Sequence, residues 1–491
     1  MGKALSKSRY LKGRQCPKLL WWSVHEPEAE ELIPDPSVAV RMESGRRVGE
    51  LARSYVPGGR LIEVDRSNLE QAVRDTERAI EDEESVIYEA CFLADGLFVA
   101  IDILERCDSG WAVVEVKSSQ RVKPHHISDL AIQVHVARAA GLCISRAEIM
   151  HLSKRAKFPD LEELFARSDQ MERVEALTLD VSTESRQLLE VLEQPCPDVE
   201  VGDHCRQPYG CAFWHRCWPD PPLHPVSELY RLSNTKRVEL EKMGVVTIQE
   251  LPHDYELNPI GTRQRRAILE KRLIVDAALQ QALAPLEGAR LAFLDFESIG
   301  PAIPTWSDCQ PHQPVPVQMS CHLQDGAGGI HHRDWLAQGR EDPRAGLAKA
   351  VVEAAHQADC VLAYFSPFER KMLLHLARVV PEYSEELKQI ADKLFDLLPV
   401  VRNHVYHPNF GGSFSLKKVY PALVEGSGYA SLEVQDGGAA AHLLEAYLVR
   451  GRIPEGQDED WLRRHLLAYC KQDTQALVEL LDVLRGLAAT P

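Results

Sequence analysis

Asp102, Glu115 and Lys117 lie in two short apolar runs, where ionisable side chains are costly unless they have a task. Two carboxylates can hold a hard divalent cation that acidifies a water, and a neighbouring ammonium can orient that water or offset developing charge. That chemistry suits hydrolysis of a phosphodiester; the plain alternative is a salt bridge on a strand surface. Far downstream, Asp295 and Glu297 end a third apolar run, while Tyr469 and Asp473 stand four apart in a helical pattern. Acids two apart on a strand share a face and can seat two metal ions from one rigid element. A further set is sulfur: Cys16 near the start, then Cys205, Cys211 and Cys217 in a short run. Thiolates at that spacing bind zinc or an iron-sulfur cluster, with His215 able to replace one ligand in a zinc site. Four unrelated reduced thiols are the bland reading.

The elements that must carry these groups are readable in outline. The segments 97–104 and 111–117 are β-forming runs, and Asp108-Ser109-Gly110 between them has the turn residues of a hairpin. Antiparallel pairing then brings Asp102 close to Glu115 and Lys117. Residues 128–140 follow as a helix. In the second half, 291–297 reads as a strand, 360–364 as a strand that leads into a helix bearing Glu369, and 466–474 as a helix with Tyr469 and Asp473 on one face.

A chain of 491 residues exceeds one ordinary core, so two large domains with a connecting module are expected. The twelve cysteines are too dilute for a disulfide scaffold, no apolar run is long enough to span a membrane, and Lys3, Lys7, Arg9, Lys12 and Arg14 occupy the N-terminus without a secretory apolar segment. A cytoplasmic protein is expected. The net charge of −17 opposes diffuse attraction to a polyanion, so any nucleic-acid site must be local.

Asp102, Glu115-Val116-Lys117 and Gln133 resemble the central motif and downstream glutamine of the PD-(D/E)XK nucleases, in the RecB-like branch that includes CRISPR-associated nucleases with an iron-sulfur cluster. The family's later tyrosine is here Ala137, and Glu50 stands where an upstream metal-facing residue is expected. The resemblance implies Asp102 and Glu115 as metal ligands, Lys117 and Gln133 as catalytic residues, and a 4Fe-4S cluster on Cys16, Cys205, Cys211 and Cys217. The later set, Asp295-x-Glu297, Glu369 and Tyr469 before Asp473, resembles the DEDD exonucleases of RNase H-like fold in their tyrosine variant. That implies Asp295, Glu297, Glu369 and Asp473 as ligands of Mg²⁺ or Mn²⁺ and Tyr469 as the residue aligning the attacking water. Glu369 replaces the usual aspartate, and Phe365 stands near an expected asparagine. The stretches 396–408 and 412–419 are similar to an uncharacterised bacterial family that joins the two kinds of domain, with Arg402, Lys417 and Lys418 as phosphate contacts or simply a solvated basic face.

The expected architecture is therefore an α/β multidomain chain. Residues 1–218 form a restriction-endonuclease-like mixed-sheet domain, 219–288 a helical connector resembling a helix-hairpin-helix or a plain linker, and 289–491 an RNase H-like exonuclease domain. The expected activity is metal-dependent nucleic-acid hydrolysis by two heads, DNA favoured over RNA, the second running 3′ to 5′. A nucleic-acid-binding scaffold with silent heads is the alternative.

Overall fold

The computed structural model describes the chain apart from residues 1–3, 66, 326–328, 427–428, 430–431 and 490–491. It is an α/β protein of two compact units. The first comprises Met1–Pro219 with Pro301–Gln313, and the second Asp220–Gly300 with Pro314–Pro491.

The first unit is built on a seven-stranded sheet: β1 (Leu5–Ser6), β2 (Arg60–Leu61), β3 (Val86–Ala94), β4 (Leu97–Cys107), β5 (Gly110–Lys117), β6 (Ile144–Leu152) and β7 (Phe165–Asp169). Its order is β2-β3-β4-β5-β6-β7, with β1 pairing β4. The β4–β5 turn is tight because Gly110 adopts φ 135° beside the Cys143 carbonyl, where a Cβ would come within 2.3 Å of that oxygen. Cys107 pairs with Gly110 and Ile103 with Val114, so the next step of the antiparallel register sets Asp102 against Glu115. Trp111 and Val113 pack with Ile127, Leu130 and Val134 of the helix Pro124–Ala139, whereas Ala112 and Val114 pack with Ala52 and Val56 on the other face. Alternation along β5 thus turns Glu115 toward that helix, and toward Gln133 on it.

Residues 301–313 belong to this unit although they follow a strand of the other. Ala302 packs with Val48, Leu152 and Leu164. His312 Nε2 donates to the Ser118 carbonyl at 2.6 Å, and Gln120 Nε2 donates to the Pro311 carbonyl at 2.6 Å.

The second unit holds β8 (Ile274–Val275), β9 (Leu291–Ile299), β10 (Val315–Gln324), β11 (Ile330–Leu336), β12 (Cys360–Ala363), β13 (Leu394–Asp396) and β14 (Val405–Tyr406). Its main sheet runs β11-β10-β9-β12-β13, antiparallel on one side of β9 and parallel on the other. The two faces of central β9 enter different cores: Ala292, Leu294 and Phe296 meet Leu347, Val351 and Leu373, while Leu291 and Phe293 meet Leu477, Leu481 and Leu484 of the 31-residue helix Glu459–Ala489. Those leucines recur at helical spacing, and truncating one to alanine would cost about 2–5 kcal/mol. Following both elements along that shared face leads from leucines to Asp295 and Glu297 on the strand and Cys470 and Asp473 on the helix.

Residues 220–288 fall within the second unit, and Pro219 ends the first stretch of the other. The hairpin expected there differs: Val226–Glu228 and Ile248–Glu250 are single 3-10 turns flanking the helix Asn234–Lys242, and no long helix resumes until Pro259–Glu270. The reason is local. Thr247 and Glu250 form a capping box around one short turn, and Pro252 follows at once.

Candidate functional site

In the second unit Asp295, Glu297 and Asp473 each bring an oxygen to within 4.8 Å of the others, the tightest such set among the described residues. Octahedral oxygens around Mg²⁺ stand about 3 to 4 Å apart, so this donor set suits a hard divalent cation. Burial drives Asp295 and Glu297 well above the usual carboxylate range, and the neighbouring carboxylates add to the shift. The cluster is a store of repulsion that a cation would relieve.

Asp473 is raised by burial and drawn back by Tyr429, Lys417 and Tyr469. Tyr429 donates to its Oδ1 at 2.5 Å. The Lys417 ammonium donates to the Gln435 carbonyl at 2.6 Å, 4.8 Å from the Tyr469 ring centroid and 5.7 Å from that of Tyr429. Lys417, expected at a phosphate, is thus woven into the carboxylate cluster. Lys418 faces Glu228, whose carboxyl burial raises and whose cationic neighbours lower.

Glu369 stands outside the trio. It lies in the first turn of the helix Pro367–Val379, almost wholly buried; burial and then the Asp295 charge raise it to about 9, and its Oε2 has no hydrogen-bond partner among the described residues. Asp396 explains the local backbone, accepting from the N–H groups of Phe365 at 2.9 Å and Ser366 at 3.1 Å. Phe365 is held at φ 75° and more than half exposed. A cavity of about 740 Å³ opens beside the cluster, lined by Asp295, Asp473, Lys417, Arg402, Phe365 and Tyr230.

In the first unit Asp102, Glu115, Lys117 and Gln133 meet at the β4–β5 edge. Glu115 Oε1 accepts from Lys117 Nζ and from Lys7 Nζ, each at 2.8 Å, and Oε2 accepts from Gln133 Nε2 at 2.6 Å. Burial alone would raise Glu115, but Lys117 and Lys7 hold it well below the usual range. Asp102, accepting from the Val116 N–H at 2.6 Å, is pushed by burial and by Glu115 to about 7. Lys117 also donates to Asp129, one helical turn before Gln133.

Three groups here escaped the sequence reading. Lys7 figured only among the N-terminal basic residues. Asp129 had a visible signal in its i,i+4 spacing to Gln133 on one helix face. Glu89, opposite Asp102 across β3 and β4, is the upstream carboxylate whose charge reaches Asp102. Glu50 is instead exposed and paired with Arg46 at 2.9 Å.

Cys16, Cys205, Cys211 and Cys217 are free thiols. Cys16 shares an apolar cluster with Leu19 and Phe213, against which Cys211 packs, and Cys205 is buried. Burial raises Cys211 and Cys217, and the charges of the other thiols add to each shift. Cys196 is within the same electrostatic reach of Cys16 and Cys217. The four thiols do not form a set tight enough for a single ion, and a cluster spreads its ligands more widely than one ion does. Thiols from both ends of the unit thus lie within electrostatic reach of one another in an apolar surround, without forming a tight cysteine cluster among the described residues.

Residues 292–415 match a family model described as Domain of unknown function (DUF2779). The matched segment carries Asp295, Glu297, Glu369 and Arg402 and stops short of Lys417, Tyr469 and Asp473. No curated protein and no solved structure matches the chain. Among the described residues no helix is long and apolar enough to cross a membrane.

Proposed function

We propose that this chain is a metal-dependent nuclease with two catalytic heads, a RecB-like PD-(D/E)XK head with an iron-sulfur cluster in the first unit and a DEDD-type RNase H-like exonuclease head in the second, acting on DNA in a reducing, cytoplasmic setting. The observation that carries the reading is the convergence of Asp295, Glu297 and Asp473 within 4.8 Å of one another. Strand order supports it too, since both paired acids lie on the central strand and the third on the helix that covers it.

A bound Mg²⁺ or Mn²⁺ would polarise the phosphate and acidify a water at these acids. In the second head Asp295, Glu297 and Asp473 would supply its oxygens and Tyr469 would orient the water, while Tyr429 fixes the Asp473 carboxylate and Lys417 tempers the charge of the acids. The adjoining cavity has room for a strand end, with Arg402 in reach of a phosphate. In the first head Asp102 and Glu115 would hold the cation, Gln133 sets the rotamer of Glu115, and Lys117, steadied by Asp129, would offset the negative charge that develops on the phosphate as the bond to the departing alkoxide breaks.

One observation favours the rival of a binding scaffold with a silent first head: both oxygens of Glu115 are already taken by protein donors. The deciding experiment is degradation of end-labelled single-stranded DNA and RNA with Mg²⁺ or Mn²⁺ by wild type, Glu115→Ala, Asp295→Ala and the double variant. Separate product patterns lost in each single variant are expected. Intact substrate that stays bound to every protein, wild type included, would leave only the scaffold.

A further inference from the structure

The helix Lys7–Gln15, the start of Pro124–Ala139 and the loop 204–209 enclose a hollow of about 490 Å³ in the first unit, within the usual range for a small-ligand site. Its lining includes Asp129, the acid that holds Lys117, so the hollow opens directly beside the Glu115 centre. On one wall Lys12 has a single hydrogen bond, to Ser23 Oγ at 3.3 Å, and no carboxylate partner among the described residues. Arg14, also in the lining, is paired with Glu184 at 3.2 Å. Tyr209, also in the lining, is 63% exposed, its ring edge-on to His125 with centroids 5.5 Å apart.

That exposed aromatic is held in place. Gln15 Nε2 donates to the carbonyls of His204 at 2.9 Å and Tyr209 at 2.8 Å, fastening both ends of the loop to the first helix. The Cys211 N–H donates to the Cys205 carbonyl at 2.8 Å and closes the loop beyond it. A tethered, solvent-facing ring in the same hollow as an ammonium without a carboxylate partner among the described residues matches the two needs of an unpaired nucleotide, a stacking platform for the base and a cation for the phosphate. A duplex, whose bases are already stacked, gains nothing from Tyr209.

We infer that this hollow is a nucleotide subsite for single-stranded nucleic acid: Tyr209 stacks one base, Lys12 takes its phosphate, and the adjoining phosphodiester is led toward Glu115. The inference rests on the nuclease reading of the first unit. It gives the loop between Cys205 and Cys211 a role in gripping substrate.

The test uses the full-length chain with Glu115→Ala and Asp295→Ala, to prevent cleavage, and a DNA oligonucleotide bearing 5-iododeoxyuridine. Irradiation followed by peptide mapping is expected to give a cross-link at Tyr209, absent in Tyr209→Ala and kept in Tyr209→Phe. By anisotropy, Lys12→Ala is expected to flatten the plot of log affinity against log salt by about 0.7, as for one lost contact to a single strand, and Lys12→Arg to restore it. Tyr209→Ala should weaken binding roughly tenfold. A cross-link map without Tyr209, together with an unchanged salt slope, overturns the subsite. Cleavage by the otherwise wild-type chain and by its Glu115→Ala variant is read separately: a Tyr209 cross-link without Glu115-dependent cleavage keeps the subsite and removes the nuclease reading, and the converse does the reverse.

Discussion

Lys7 donates to Oε1 of Glu115 at 2.8 Å, joining two residues 108 positions apart in the chain. Its ammonium lies within electrostatic reach of Asp102 as well, so it neutralises the acids that a dication would otherwise hold. Replacing Lys7 by methionine should therefore lower, several-fold, the Mg²⁺ concentration that half-saturates cleavage by the first head. A metal titration of wild type and variant checks this, and an unchanged midpoint would show that Lys7 does not compete. Glu115→Ala acts oppositely on stability, taking from Lys7 its hydrogen-bonded carboxylate while Lys117 keeps Asp129, at a cost of about 3–5 kcal/mol. For a unit of this size that is a fall in Tm of roughly 10 °C.

The pH behaviour of the metal-free protein follows from Asp102. Its folded pKa of about 7 lies above the unfolded value near 3.9, so the folded state binds more protons across that window and stability falls as pH rises through it. Asp295 and Glu297, also raised, act in the same direction. Glu115 is depressed and contributes oppositely, but only at acid pH below the window. In EDTA the Tm should drop between pH 5 and pH 8. Mn²⁺ should cancel that slope by taking the protons' place, and Asp102→Asn should reduce it. A flat Tm profile in EDTA would contradict the assignment.

Two tyrosines approach Asp473, and their loss should differ in degree. Tyr469→Phe removes the group proposed to align the water and should lower kcat of the second head 10²- to 10⁴-fold. Tyr429→Phe removes one hydrogen bond that fixes Asp473, and an effect of roughly 10- to 100-fold is expected, expressed partly as weaker metal binding. Single-turnover rates at several Mn²⁺ concentrations separate the two; equal, metal-independent losses would not fit.

Removing the proposed cluster ligands should act on folding before chemistry. Cys16→Ser and Cys211→Ser are each expected to abolish bound iron and acid-labile sulfide and to lower the Tm of the first unit, leaving Asp295-dependent cleavage intact. Zinc without iron or sulfide in the purified protein would remove the cluster proposal.

What was legible in the sequence was local. The β4–β5 hairpin followed from one turn, and its register set Asp102 beside Glu115 without further information. Helical spacing likewise put Tyr469 and Asp473 on one face, and the strand pattern gave Asp295 and Glu297 theirs. Contacts that depend on long-range packing were hidden. Nothing in the residues around Lys7 marks it as a partner of Glu115, and Lys417 has the same sequence character as Lys418 although one joins a carboxylate cluster and the other faces Glu228. The second helix of the connector was not legible because apolar spacing alone cannot distinguish a helix from a capped 3-10 turn.

Residues 301–313 bear on how the chain is made. Ribosomes deliver it in order, and the first unit lacks Ala302 and His312 until those residues emerge, long after Pro219. At ordinary elongation rates the wait is on the order of ten seconds, during which Val48, Leu152 and Leu164 lack part of their cover. The strand that carries Asp295 and Glu297 is translated within that interval, so the nascent first unit is finished only after the acid-bearing strand of the second has already been made.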